Sequence, residues 1–135
     1  MENLNKVSPV KLDKSTLISL EKGKLPPQVL EMEEAVLGAM MIDTKGVDEV
    51  IDILVPQAFY KEAHQLIYEA IVTLFQDGAP IDILSVSERL RKMGKLDRVG
   101  GDMYLIELTQ RISSSAHIEY HSRIILQKFI QRSLI

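Results

Sequence analysis

The stretch FYKEAHQLIYEAIVTLFQDG, residues 59–78, gives the clearest indication of the fold. Its apolar residues recur at the three- and four-residue spacing of one α-helical face. They are Ala63, Leu66, Ile67, Ala70, Ile71 and Leu74. Asp77-Gly78 ends this predicted helix, because glycine adopts the left-handed backbone beyond a helix end without steric cost. We interpret His64 as a capping or core-edge residue rather than a catalyst.

Two further helices are predicted upstream of this stretch. Pro26-Pro27 forms a suitable helix entrance, because proline is tolerated in the first helical turn. Three acidic residues follow that favour the positive end of a helix dipole, namely Glu31, Glu33 and Glu34. Apolar spacing then predicts a first helix from about Gln28 to Ile42, and a second from Val47 that Pro56 ends.

Downstream of this stretch, turn and cap residues divide the chain into three more helices. Asp82 is the predicted N-cap of a helix that Gly94 ends. Residues 96–99 are predicted to form a short irregular or extended link before Gly100-Gly101-Asp102 opens the next helix. Ser113-Ser114-Ser115 breaks that helix and can cap a last one, which runs from about residue 116 to the chain end.

These elements predict an all-α fold, a compact orthogonal bundle of about six helices over residues 26–135 with short connections. Residues 1–25 show no apolar period, so we expect a disordered or loosely docked N-terminal tail there. The 135 residues are enough for one domain. Hydrophobic residues make up 46% and aromatics only 5%, which predicts an aliphatic core.

Charge and composition narrow the function classes. The formal net charge of -3 argues against a domain built mainly to grip phosphates. The chain has no cysteine, which excludes disulfides and thiolate metal sites. It also has no signal peptide and no membrane-spanning stretch, so we expect a cytoplasmic protein. Signature motifs of serine hydrolases, dinucleotide-binding folds and phosphate loops are missing, and we predict no catalytic, cofactor or metal residues in this segment.

The last predicted helix is apolar around much of its circumference. A helix of this kind requires cover on more than one side. We therefore predict an exposed protein interface on it, formed by Ile118, Ile124, Ile125, Phe129 and Ile130. A central core helix is the alternative. The helix also reaches Leu134-Ile135 without a stop signal, from which we expect that the parent chain continues.

Two other functions remain as alternatives. His117 and His121 are spaced like a zinc-binding pair, but Glu119 is one position too late for the metalloprotease motif. A metal enzyme would depend on that pair. The basic residues between Arg89 and Arg98 could contact DNA phosphates, although no second, recognition helix follows within that stretch. A solvated helix face accounts for them more simply, so we expect little or no nucleic-acid binding.

A family resemblance rests on short motifs in a fixed order. They are Leu25-Pro26-Pro27-Gln28, the run from Glu34 to Met40, Phe59-Tyr60 with His64, Ile67-Tyr68, Ala70-Ile71, Pro80-Ile81-Asp82, Leu90, Gly94, Leu96, Gly100-Gly101, Tyr104-Leu105, and Ala116-His117-Ile118 through Arg132 to Leu134-Ile135. Over residues 25–135 the chain thereby resembles the N-terminal domain of bacterial replicative DNA helicases of the DnaB family. Residues 1–25 match no pattern of that family.

The resemblance implies a part of a larger machine. Proteins of that family are hexameric ATP-driven 5'-3' helicases at the replication fork, whose ATP and magnesium sites lie in a C-terminal RecA-like motor domain. Their N-terminal domains form a collar, a trimer of dimers, that contacts primase and in some systems the helicase loader. The resemblance also implies that this segment stops before the second helix of a helical hairpin, the linker and the motor. We therefore expect a non-catalytic collar domain in a cytoplasmic, nucleoid-associated assembly.

Overall fold

The computed structural model describes residues 27–111 and 116–134. Within these two ranges it contains seven α-helices and two short 3-10 helices without a strand, which confirms the all-α prediction. The α-helices are α1 (Pro27–Ile42), α2 (Val47–Ile53), α3 (Glu62–Gln76), α4 (Ile83–Lys92), α5 (Leu96–Val99), α6 (Gly101–Gln110) and α7 (Ile118–Ser133). The 3-10 helices are Thr44–Gly46 and Pro56–Ala58.

The predicted turn and cap residues account for several helix boundaries. The Asp82 side chain accepts a hydrogen bond of 2.8 Å from the backbone N–H of Ser85, so it caps the start of α4. Gly78 and Gly94 have φ angles of 68° and 71° beyond the ends of α3 and α4. Most other residues rarely adopt this left-handed conformation, so the two glycines stop these helices where the sequence predicts.

The prediction of an irregular link at residues 96–99 is wrong. Leu96–Val99 forms the single helical turn α5, which raises the number of α-helices in the described ranges from six to seven. Val99 is buried and Leu96 packs against the core as well. Three residues apart, these two side chains lie on the same side of a helical turn, and burying both stabilises the helical conformation over the extended one.

The core surrounds α1, and α1 rather than the last helix is the central element. Residues 36–41 of α1 are buried throughout. Helices α3, α6 and α7 all pack against α1, while α4 packs on α3 and α6. The core side chains are mainly aliphatic, with Phe59 and Tyr68 as its largest aromatic members.

Two predictions lie outside the described residues. They are the N-terminal tail at residues 1–25 and the break at Ser113-Ser114-Ser115. Among the helices that are described, none is long and apolar enough to cross a membrane.

Candidate interaction surface

Helix α7 buries one face against the domain. Ile118, Ser122 and Ile125 are buried on this face, which packs on α1 and α2. Ile118 lies so close to Gly46 that a Cβ atom on the glycine would stand 2.8 Å from the Ile118 Cγ2 atom. The small residue before α2 therefore lets the first turn of α7 approach the domain closely.

The structure corrects the predicted interface at two positions. Ile118 and Ile125 are only 5% and 1% exposed, so the prediction that they form an exposed surface is wrong. Because α7 is apolar on more than one side, the sequence pattern does not show which side the core covers. Phe129 is partly buried against the core, Ile124 is half-buried and Ile130 is exposed, so an interface at these three positions stays a prediction.

The opposite side of α7 carries an apolar strip, which we call the outer stripe: Tyr120, Ile124, Ile130 and Leu134. At 3.6 residues per turn these side chains cover about 120° of the helix circumference. Tyr120, Ile130 and Leu134 are 65%, 49% and 81% exposed. The sequence prediction included Ile124 and Ile130 but left out Tyr120 and Leu134, although all four follow helical spacing.

The outer stripe has little uncompensated charge. Gln127 and Gln131 lie between its apolar members, at angles that follow from their positions in α7. Arg123 lies within the stripe, between Ile130 and Leu134 in angle, and pairs with Glu119 through an N–O distance of 2.9 Å. An apolar partner that covered this surface would therefore bury few unpaired charges, and a favourable protein interface requires this.

Arg132 fastens the last turn of α7 to the domain. Its Nη2 atom donates a hydrogen bond of 3.2 Å to the carbonyl oxygen of Ala58. The guanidinium carbon lies 5.3 Å from the ring centre of Tyr60 and 5.8 Å from that of Phe129, within the range of cation–π attraction. Through Arg132 the last turn of α7 contacts the segment that leads into α3.

A buried polar cluster, which the sequence did not reveal, joins α1 to α3. Glu33 and His64 are both 0% exposed, and the Glu33 Oε1 atom lies 2.6 Å from His64 Nδ1. Glu33 also accepts the backbone N–H of Tyr60 at 2.6 Å and that of Lys61 at 3.5 Å. Glu33 thus brings two backbone N–H groups and the His64 ring together in one buried site.

This geometry corrects two interpretations. The three glutamates do not occupy the first turn of α1, and Glu33 instead holds the segment that leads into α3. His64 belongs to the core and not to its edge. A signal was present, because both residues fall on the buried stripes of their helices. Glu33 is four residues after buried Val29, and His64 is three before buried Ile67.

The polar cluster continues to the surface through α6. The Tyr104 hydroxyl lies 2.6 Å from His64 Nε2 and 3.4 Å from a carboxylate oxygen of Glu34, whose other oxygen binds Arg111 at 2.6 Å. Burial and the negative charge of Glu34 raise the pKa of Tyr104 above its ordinary value. The chain of contacts ties α1, α3 and α6 together.

The histidine pair offers little support for a metal enzyme. The His117 and His121 ring centres are 6.2 Å apart at the start of α7, where the helix dipole disfavours a cation. Burial and the charge of His117 lower the pKa of His121. In the described ranges, no group of three or more histidine, cysteine, aspartate or glutamate side chains is arranged to hold a metal ion.

The arginines of the proposed DNA contact are engaged within the domain. Arg89 pairs with Asp77 at 2.9 Å, Arg91 with Glu88 at 3.0 Å, and Arg98 with Glu62 at 2.9 Å. Phosphate binding would have to displace these carboxylates, so the arrangement favours a solvated, charge-balanced face over a nucleic-acid surface.

A family model and individual relatives indicate the same protein family. The family model of the DnaB-like helicase N-terminal domain matches residues 25–127. The chain is 46% identical over 114 residues, 84% of its length, to the replicative DNA helicase DnaB of Rhodothermus marinus. It covers 12% of that relative and 26% of the Treponema pallidum one, so it spans only about a quarter or less of the length of such curated relatives.

Solved structures agree on the fold. The N-terminal domain of DnaB helicase from Mycobacterium tuberculosis superimposes with a TM-score of 0.75 and 35% identity, covering 78% of this chain and 76% of that one. The corresponding Helicobacter pylori domain, which interacts with primase, gives a TM-score of 0.69 over 91% of this chain and 89% of its own. At 22% identity this second likeness supports the fold alone.

Proposed function

Because the chain belongs to the family of DnaB-like helicase N-terminal domains, we propose that it is the non-catalytic scaffold domain of a hexameric replicative DNA helicase. In this role it pairs with further copies of itself and recruits primase and, in some systems, the helicase loader. The outer stripe of α7 is the observation that carries the proposal. It leaves Tyr120 and Leu134 largely exposed, and clustered apolar exposure of this kind marks interaction surfaces.

The unwinding activity is proposed for another part of the longer protein. The relatives are replicative DNA helicases, and this segment spans only 12% and 26% of the length of two of them. We assign ATP-dependent 5'-3' unwinding, together with ATP and magnesium, to a RecA-like motor domain that follows a second hairpin helix and a linker. The protein would work in the cytoplasm, at replication forks on the nucleoid.

The buried polar cluster supports the non-catalytic part of the proposal. Glu33 and His64 are residue types that often perform acid–base chemistry. Here both are fully buried and bonded to each other, and His64 is bonded also to Tyr104. A substrate cannot reach side chains held in this way, which fits a role in holding α1, α3 and α6 together.

Sedimentation velocity tests self-association through α7. The 135-residue chain is expected to associate as its concentration rises, and a double variant, Tyr120→Asp with Leu134→Asp, to remain monomeric. Met103→Asp is the matched control, since Met103 is 67% exposed but lies on α6. Equal association of the double variant and the wild type would contradict the use of the outer stripe.

Calorimetric titration with the primase of the same organism tests recruitment. The 135-residue chain is expected to bind primase saturably. The Met103→Asp variant is expected to bind it with the same affinity as the wild type. Binding that requires a longer chain, extended beyond residue 135, would contradict recruitment by this segment alone. A duplex-DNA titration at low salt completes the test, since tight, salt-sensitive binding to DNA would favour the alternative function of the basic α4–α5 face.

A further inference from the structure

A second apolar surface lies where α2 meets the turn between α3 and α4. It is a shallow groove of about 480 Å³, which we call the Phe75 groove. It is lined chiefly by Val47, Asp48, Phe75, Ala79, Pro80 and Ile81. Val47 and Ile81 form a buried floor, whereas the Phe75 ring at the end of α3 is 39% exposed. The groove therefore offers an aromatic wall and an aliphatic floor to solvent.

The charged side chains that α2 places beside the Phe75 groove are all acidic. Asp48 is the charged side chain in its lining, and Glu49 and Asp52 follow on the exposed face of α2. None of these three carboxylates forms an ion pair within residues 27–111 and 116–134. Helix α2 contains no basic residue, and in the part of the chain that the structure describes its three negative charges over seven positions have no ion-pair partner.

The helix dipole accounts for only part of the negative charge on α2. Asp48 and Glu49 stand in the first turn of α2, where acidic side chains stabilise the positive helix end. Asp52 is in the last turn, where the dipole disfavours a negative charge. Asp52 also acts on the interior, since its charge is one of the causes that raise the pKa of Tyr68.

A neighbouring groove shows the contrast. Leu74, Leu84, Arg89 and Lys92 line it, and its arginine is already paired with Asp77. Among the described residues, no cation forms an ion pair with Asp48. An apolar partner that covered this carboxylate would desolvate it without compensation, which is unfavourable. A partner with a lysine or arginine beside its apolar residues would avoid that loss.

We propose that the Phe75 groove binds a basic amphipathic helix of a partner protein. Two or three apolar side chains of that helix, spaced three and four residues apart, would fill the groove, as in other helix-in-groove interfaces. Its lysines or arginines would pair with Asp48 and Asp52. This surface is additional to the outer stripe and does not depend on the proposed function.

Two synthetic helical peptides of fifteen residues provide the probe, and both have leucines at the same three- and four-residue spacing. One carries lysines on its flanks and the other carries glutamates. With the 135-residue chain, the lysine peptide is expected to shift the amide resonances of Val47, Asp48, Phe75 and Ala79 saturably and more weakly at high salt. The glutamate peptide is expected not to do so. The double variant Asp48→Asn with Asp52→Asn is expected to weaken binding by about fivefold.

Controls separate this proposal from other occupants of the groove. Asp97→Asn removes an exposed charge from α5 and should leave the affinity unchanged. Equal binding of both peptides, shifts that map elsewhere, or no effect of the double variant would each overturn the proposal. So would groove resonances that move with protein concentration alone, which would identify a second copy. Resonances that move on deletion of residues 1–26 would identify that segment as the occupant and overturn it equally.

Discussion

At the scale of a single residue, the Glu33 carboxylate contacts three hydrogen-bonding groups of the segment from Tyr60 to His64. Its carboxylate binds the N–H groups of Tyr60 and Lys61 as well as His64 Nδ1, in a place without solvent. We predict that Glu33→Ala lowers the free energy of unfolding by about 3–5 kcal/mol, because these buried donors lose their acceptor. Urea denaturation measures the change.

Two controls sharpen this prediction. Glu33→Gln keeps one acceptor oxygen and the side-chain shape, so it should cost less than Glu33→Ala. Glu31→Ala removes an exposed carboxylate from the same helix and should change stability by no more than about 0.5 kcal/mol. Equal effects of the two alanine variants would contradict the structural role of Glu33.

Tyr68 makes the stability of the domain depend on pH in the alkaline range. Its hydroxyl donates to the carbonyl oxygens of Leu54 at 2.8 Å and Val50 at 3.2 Å, at the end of α2. Burial, reinforced by the charge of Asp52, raises the pKa of Tyr68 above its ordinary value of 10.0. Above pH 10 the unfolded chain therefore binds fewer protons than the folded one, and the stability that this group contributes falls as the pH rises.

We predict that Tyr68→Phe destabilises the domain by about 1–2 kcal/mol at neutral pH, because the carbonyl group of Leu54 loses a buried donor, whereas that of Val50 keeps the N–H of Leu54. The variant should also lose less stability than the wild type between pH 9.5 and about pH 11. Thermal unfolding followed by circular dichroism at each pH gives both quantities. Tyr120→Phe is the control, since Tyr120 is 65% exposed. Parallel pH profiles of Tyr68→Phe and the wild type would refute the assignment.

At the scale of helices, the contact between the start of α2 and the start of α7 depends on Gly46. Its φ of -92° suits any residue, so the need for glycine is steric. A Cβ atom there would overlap Ile118. We predict that Gly46→Ala costs about 1–3 kcal/mol through overpacking, and that the cost shrinks when Ile118→Ala is already present. A double-mutant cycle in urea measures this coupling.

The matched control for this cycle is Gly78. A Cβ atom at Gly78 meets nothing within 4 Å, but its φ of 68° is unfavourable for alanine. Gly78→Ala should therefore destabilise the domain independently of Ile118, with additive effects. Coupling at Gly78, or additivity at Gly46, would contradict the close approach of α7.

Helix boundaries could be predicted from the sequence better than the contacts between helices. Local signals placed α3 and α4 correctly, because Asp82, Gly78 and Gly94 act on neighbouring backbone groups. The sequence does not predict the helical turn at residues 96–99, because four residues are too few to show a period and the turn is stabilised by the packing of Val99. The Glu33–His64 contact joins positions 31 residues apart, and no local rule specifies which helices will meet.

At the scale of the whole molecule, α7 has two apolar sides with different tasks. One side completes the core around α1, and the other carries the exposed side chains of Tyr120, Ile130 and Leu134. Amphipathic spacing predicts that both apolar sides of α7 need a packing partner. It does not show which side faces the core. That assignment follows from how α1 is surrounded, with Gly46 setting the depth at which α7 packs. The exposed apolar side of α7 therefore contains Tyr120 and Leu134, whereas Ile118 and Ile125 belong to the core.

This division makes stability and association separable. Ile125 is 1% exposed and Leu134 is 81% exposed on the same helix. We predict that Ile125→Ala lowers the free energy of unfolding by about 2–5 kcal/mol, because it leaves a cavity in the core. Leu134→Ala should change it by less than about 0.5 kcal/mol and yet weaken concentration-dependent association. Urea denaturation at low concentration, beside sedimentation at high concentration, distinguishes the two effects. If both variants change the same quantity, the two sides of α7 do not have separate roles.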